Sequence, residues 1–171
     1  MPSMSELPVY TVADLEREEG FEVPFFDNDD AVDLGLAAVE VIDERGLDLA
    51  VRIVLRGDVV FQAKLGSSGP ANDAWLAGKH AVAERFGEPS LLVRRRHEEA
   101  GTPFADRDDV DHDALRAYGG SIPLRVGGEV VGTITTSGEP DVVDHATAAE
   151  AIRRYLAARD AAQEDRSLAT S

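Results

Sequence analysis

The sequence predicts an α+β fold: an antiparallel sheet with helices on both faces, an α-β-α sandwich of the profilin-like or PAS-like kind. Three observations carry that expectation. Two apolar runs each fold back across a glycine-bearing turn, the signature of a β-hairpin. Segments of helical spacing stand before, between and after these hairpins, and the last of them closes the chain. The 171 residues suit one domain with one core. That domain is expected over residues 1–159, with 160–171 as a disordered tail too poor in apolar side chains to pack.

In chain order, "TVADLEREEG" starts a short peripheral helix with Thr11 as N-cap and Gly20 as its end. "FEVPFF" is an extended entry segment carrying Pro24. In "DNDDAVDLGLAAVEVIDERG", Asp29, Asp33, Glu40 and Glu44 share one narrow stripe and nearly everything else is apolar or small, so this helix is expected to be buried over most of its circumference. "LDLAVRIVLRGDVVFQAKLG" alternates and turns at Arg56-Gly57-Asp58, giving the first hairpin. After the small-residue loop "GSSGP" comes a helix, "NDAWLAGKHAVAERFG", with Asn72 as cap, Trp75, Gly78, Val82 and Phe86 on its buried face, and Gly87 at its end. "SLLVRRRHEEAG" reads as a helix, "TPFADRDDVD" as an acidic loop and "HDALRAYGG" as a short helix. "SIPLRV" and "EVVGTITT" form the second hairpin across Gly127-Gly128, and Pro123, which lacks a donor, places its strand at an edge or marks where it begins. The last helix starts near Asp141 and runs through Val142, Ala146, Ala149, Ile152 and Leu156.

Composition narrows the function classes. The formal net charge is -16, and only two of the 17 basic residues are lysines, Lys64 and Lys79. Such a surface repels nucleic acid and anionic lipid, so neither is expected as a partner. It reads as a highly soluble, solvated surface of the sort found in salt-loving or GC-rich hosts. The absence of cysteine excludes disulfides, thiolate metal sites and thiol catalysis. No apolar run approaches the roughly 20 residues of a membrane span, and "MPSMSELPVY" lacks the order of a secretory signal, so a cytoplasmic protein is expected.

Several residues stand out as site candidates. Ser137-Gly138 precedes the last helix, whose free backbone amides would face an anion; Gly120-Ser121 and "GSSGP" would complete a polar pocket if they meet at the same end of the sheet. The competing reading is that these small residues only permit tight turns and close packing. Lys79 lies one turn after Trp75, a spacing that suits a cation–π contact or a lysine reaching over a pocket rim. His145, beside Asp144 in the first turn of the last helix, is a candidate iron or haem ligand or a carboxylate-held base, set against the commoner role of a structural hydrogen bonder. His80 and His97 offer no spacing of their own, and His112 sits in an acidic loop. "DRDDVDHD" departs from the calcium-loop pattern, "GSSGP" from the serine-hydrolase elbow and "HEEAG" from the zinc-protease motif.

The order of "NDAWLAGKHAVAERFG" followed by "YGGSIPLRVGGEVVGTITTSGEPDVVDH" resembles the GlcG/HbpS-like family, known as a haem-degrading domain, and within it the branch called uncharacterised protein family 0303. The resemblance spans about residues 10 to 158. It implies an α-β-α sandwich, a ligand cleft on the Ser137 face, homo-oligomers, and haem or iron as the candidate cofactor. The chain departs from the branch at Tyr118, where members often carry histidine, and in "GTITTSG", where "G-x-I-G-V-S-G" is usual. The reading that follows is a homo-oligomeric small-ligand-binding protein. Its ligand, a small anion or haem-like molecule, would lie near Trp75, Lys79, Gly120, Ser121, Ser137, Gly138 and His145. The alternatives are a structural or adaptor oligomer without a ligand, and an accessory enzyme on a small hydroxy or keto acid. No catalytic residue can be named.

Overall fold

The computed structural model describes residues 7–170; residues 1–6, part of the opening stretch read above for a leader signal, and Ser171 lie outside the described residues. Thr11 caps α1 (Val12–Glu16) by accepting from the Asp14 amide while the Asp14 carboxylate accepts from the Thr11 amide. The helix ends at Glu16, short of Gly20. β1 (Glu22–Val23) follows, and Asp27 and Asp30 form a second reciprocal cap at the start of α2 (Asn28–Glu44). Next come β2 (Ala50–Leu55), β3 (Asp58–Lys64), a 3-10 turn at Pro70–Asn72, α3 (Asp73–Phe86) and α4 (Ser90–Glu99). β4 (Ser121–Val126), β5 (Glu129–Ser137) and α5 (Asp141–Ala169) complete the chain.

Both hairpins form with two-residue turns. Arg56 and Gly57 have φ of 52° and 84°, and Gly127 and Gly128 have φ of 58° and 86°, the left-handed pair that matches strand twist. The sheet order is β1-β4-β5-β2-β3. Every pairing is antiparallel except that of the two-residue β1, which runs parallel to β4 at Arg125 and Val126. Because β1 covers β4 only there, the side of β4 nearest Pro123 carries no strand pairing, so its missing N–H costs no ladder bond.

The two faces of the sheet differ chemically. Val51, Ile53 and Leu55 of β2, Ile122 and Leu124 of β4 and Ile134 of β5 make a dry core with Leu34, Ala38 and Ile42 of α2 and Ala148, Ala151 and Ile152 of α5. The face under α3 carries hydroxyls instead. There Thr133 Oγ1 meets His80 Nδ1 at 2.7 Å, Thr135 Oγ1 meets Ser121 Oγ at 2.9 Å, and the Ser121 amide donates to Ser90 Oγ at 3.0 Å. Burial of the His80 ring holds its pKa below the ordinary value. A smaller apolar cluster of Val12, Leu15, Leu91, Leu92, Val142 and Val143 locks α1 and α4 against the start of α5.

Four sequence expectations are corrected. α2 is one-sided: Ala31, Leu34, Gly35, Ala38, Val41 and Ile42 are buried, but Val32 and Leu36 are exposed, Leu36 by 54%. Residues 112–114 form a turn and 115–118 are irregular, with no helix, and Arg116 N donates to Gly78 O. Asn72 does not cap α3; its side chain accepts from Gly69 N and donates to Ser137 O, pinning the "GSSGP" loop to the end of β5. The tail from Asp160 is exposed, in line with its composition, yet it continues α5 as helix to Ala169, because alanine, arginine, glutamate and glutamine extend an existing helix at little cost.

Gly35 shows how closely α2 lies on the sheet. A Cβ placed there would fall within 2.6 Å of three Phe61 ring carbons. Gly35→Ala is expected to cost about 1–3 kcal/mol through overpacking, although alanine is the better helix former. Urea denaturation should show it as a lower midpoint with an unchanged slope.

Candidate functional site at the start of α5

At the C-terminal end of β5 the chain passes through Gly138 and turns into α5, which carries Asp141 and Asp144 in its first turn. Gly138 has φ of 144° and Gly120 has φ of 136°, conformations open to glycine. A side chain at Gly120 would meet Thr136 O and come within 3.0 Å of Lys79 Nζ; one at Gly119 would meet Asp141 O and lie 3.3 Å from His145 Cβ. The glycine pair is therefore a slot between β5, α3 and the first turns of α5. It is the close-packing reading, rather than an anion pocket, that these two positions satisfy.

Lys79 occupies the other side of that slot. It is 2% exposed, and its Nζ donates to Asp144 Oδ2 at 2.7 Å and to Thr136 O at 3.0 Å. Asp144 in turn accepts from the Glu139 amide at 3.0 Å through Oδ1, while its own carbonyl accepts from Thr136 Oγ1 at 2.7 Å. The amides of the loop before α5 are thus served by a carboxylate of the chain itself. Burial pushes the Asp144 carboxyl up to about 6, against the opposing pull of Lys79 and the Gly138 and Glu139 amides. Asp141 goes the other way: burial raises it, but the Gly119 amide and Arg94 outweigh burial and hold it below the ordinary carboxylate value.

The expected exposures of Trp75 and Lys79 are reversed. Trp75 is 37% exposed and faces solvent beside Tyr118, which is 39% exposed, with ring centroids 5.4 Å apart and planes at 78°. Arg116 lies over Trp75 at 4.3 Å and Arg94 over Tyr118 at 5.0 Å, so the four side chains form a cation–aromatic ladder. Arg94 is also fixed by Asp141 at 2.6 Å and Glu98 at 2.8 Å. The ladder separates two open hollows. One, of about 490 Å³, is lined by Trp75, Lys79, Tyr118, Ser137, Gly138 and Asp144 among others; its neighbour, of about 600 Å³, adds Phe104, His112 and Arg116. Of the sequence candidates, the structure gathers Trp75, Lys79, Ser137 and Gly138 around the first hollow, with Gly120 against Lys79 and Ser121 beneath, fully buried.

His145 does not line either hollow. Its ring is fully buried, its Nε2 sits 3.0 Å from Glu18 Oε2, Tyr10 meets it edge-on at 5.0 Å, and its Nδ1 has no hydrogen-bond partner. Arg94, Arg116 and Asp141 complete the site without having been singled out by sequence, and Tyr118 and Asp144, noted there only as a departure from the family pattern and as the neighbour of His145, join them. Among the described residues no group of three or more His, Asp or Glu side chains is placed to hold one metal ion, and no helix is long and apolar enough to cross a membrane.

Two outcomes test this geometry. Lys79→Met leaves Asp144 buried without its cation and should cost about 3–5 kcal/mol in thermal or urea unfolding, of which the Lys79→Met/Asp144→Leu pair should recover a large part. The folded-state pKa of Asp144 lies above its value in the unfolded chain, so its stabilising contribution is full below about 4 and is lost as pH rises through about 6. Carboxyl-detected NMR should place the Asp144 titration midpoint near 6, and Lys79→Met should move it higher.

Comparison with known proteins agrees with the fold. A UPF0303 protein of Streptomyces coelicolor is 45% identical over 148 residues, covering 85% of this chain and 94% of its own. A UPF0303 protein of Burkholderia orbicola is 34% identical over 137 residues, covering 80% and 83%. Among solved structures, Ybr137w superposes with a TM-score of 0.76 at 24% identity over 85% of this chain and 88% of that one. A haem complex of PduOC superposes at 0.63 with 20% identity, over 75% and 93%. The model described as haem-degrading protein HbpS-like matches residues 26–153, and the chain belongs to that family.

Proposed function

We propose that the protein binds a planar, carboxylate-bearing small molecule of the haem kind on the cleft at the start of α5, and that it works as a homo-oligomeric binding protein without chemistry of its own. The observation that carries this reading is the ladder of Arg116, Trp75, Tyr118 and Arg94 between the two hollows. Exposed aromatic rings accept a flat ring, and Arg116, which has no ion pair among the described residues, is the guanidinium open to a ligand carboxylate while Arg94 is held by Asp141 and Glu98. His112, which lines the larger hollow, supplies an imidazole; its Nε2 is engaged with Arg107 O at 2.6 Å, leaving Nδ1 as the nitrogen for a metal. The residues present therefore fit such a group. Family membership and the haem held by PduOC, a structural neighbour, point the same way. Lys79 then acts from beneath, holding the Ser137–Pro140 loop through Asp144 rather than touching ligand.

Haemin titration followed by visible absorption tests the reading. A saturable band is expected, with affinity lowered about tenfold or more in Trp75→Ala and in Arg94→Gln and little changed in His145→Gln. A response equal to that of a control protein, or one abolished by His145→Gln alone, would overturn the placement.

A second reading, an adaptor oligomer without ligand, is favoured by one observation: Val32 and Leu36 stand one turn apart, exposed, on α2. Val39, by contrast, is partly buried against the core. Leu36→Asp should dissociate an assembly built on this face, read as a drop in mass by light scattering with unchanged circular dichroism.

A further inference from the structure

We propose a second ligand site, for a small organic cation, in the hollow between the Glu18–Gly20 bend and α5. The hollow measures about 380 Å³ and is lined by Glu18, Glu19, Gly20 and Ile122 and, along α5, by Ala149, Ile152, Arg153, Leu156, Ala157 and Asp160. Its floor is apolar. Ile122, Ala149 and Ile152 belong to the main core and are all buried, and Leu156 packs against them. A cavity of this size with an aliphatic floor and a few polar groups at its mouth has the build of a small-molecule site.

Charge selects the class of ligand. Three carboxylates, Glu18, Glu19 and Asp160, face one guanidinium, Arg153, and Arg153 already pairs with Glu150 at 3.0 Å. Glu18 is held from behind by the buried His145, which fixes where its carboxylate sits. Neither Glu19 nor Asp160 has an ion-pair or hydrogen-bond partner among the described residues. The mouth is therefore electronegative on a chain whose net charge is already -16, and it repels carboxylates and phosphates. An occupant that satisfies both parts has an apolar ring or short chain on Ile122, Ala149, Ile152 and Leu156, and an ammonium group at Glu18, Glu19 and Asp160. The proposed occupant is an ammonium seated on an aliphatic floor rather than a carboxylate-bearing flat ring, so the two sites select different ligands.

Benzylammonium, benzyl alcohol and benzoate share a ring and differ in charge, which makes them suitable probes for amide-resolved NMR on the full chain at neutral pH. Benzylammonium should give saturable shifts at Gly20, Ala149, Ile152 and Leu156. Benzyl alcohol should bind the same residues roughly tenfold more weakly, and benzoate should not bind there. The Glu19→Gln/Asp160→Asn variant changes two exposed side chains, so its fold is retained, and it should weaken benzylammonium by a similar factor. Ala157→Trp, which fills the mouth, should abolish the shifts. Shifts that fail to saturate, equal affinity for the alcohol and the ammonium, or full affinity in the double variant would each overturn the proposal. Because the cleft is reported separately by the Trp75 indole signal, failure here leaves the haem-like reading untouched, and failure there leaves this one untouched.

Discussion

The architecture of the candidate site depends on one buried ion pair. Lys79 and Asp144 are almost wholly removed from water, and a charge in that position is tolerated only when its partner and its remaining hydrogen-bond capacity are supplied. Lys79 receives Asp144 and the Thr136 carbonyl; Asp144 receives Lys79 and the Glu139 amide. These three contacts join α3, β5, the loop after it and α5 at a single point. The glycine slot follows from the same constraint, since a side chain at Gly120 would run into the Thr136 carbonyl that accepts from Lys79.

The candidate cleft is then shaped by what the pair leaves outside. With Lys79 turned inward, Trp75 on the preceding turn of α3 faces solvent, where Arg116 and Tyr118 meet it. With Asp144 committed to the interior, Asp141 is free to hold Arg94 over Tyr118. The cleft thus presents aromatic and guanidinium surface beside the carboxylates of Glu98, Asp113 and Glu139. Its acidic residues at the start of α5 are internal fixtures that also complement the helix dipole.

Much of the fold was legible because its signals are local. Paired left-handed turn residues at Arg56-Gly57 and Gly127-Gly128 demand hairpins whatever the rest of the chain does, and Thr11 states a helix start within four residues. Periodicity served less well. It placed Trp75 and Lys79 on neighbouring helical positions but could not tell which of them points inward, because that is decided by Asp144, 65 residues away. Arg94 sits in an arginine run that reads as a solvated face, and only Asp141 and Tyr118, brought near by the fold, give it a role. His145 was picked out as a residue type; that Glu18 and Tyr10 occupy its surroundings is a tertiary fact with no sequence signature. The rarity of lysine and the clustering of small residues before α5 were the signals that pointed to the candidate cleft.

The central claim is that the Trp75–Tyr118 cleft is where a haem-like molecule sits. The most direct measurement is paramagnetic broadening of assigned amide and indole signals by haemin, with the zinc porphyrin as the diamagnetic reference. Broadening centred on the Trp75 indole, Tyr118 and Gly138, and fading towards Gly20 and Gly57, is the predicted result. Broadening centred on Glu18 and His145, or spread evenly over the surface, would contradict the account.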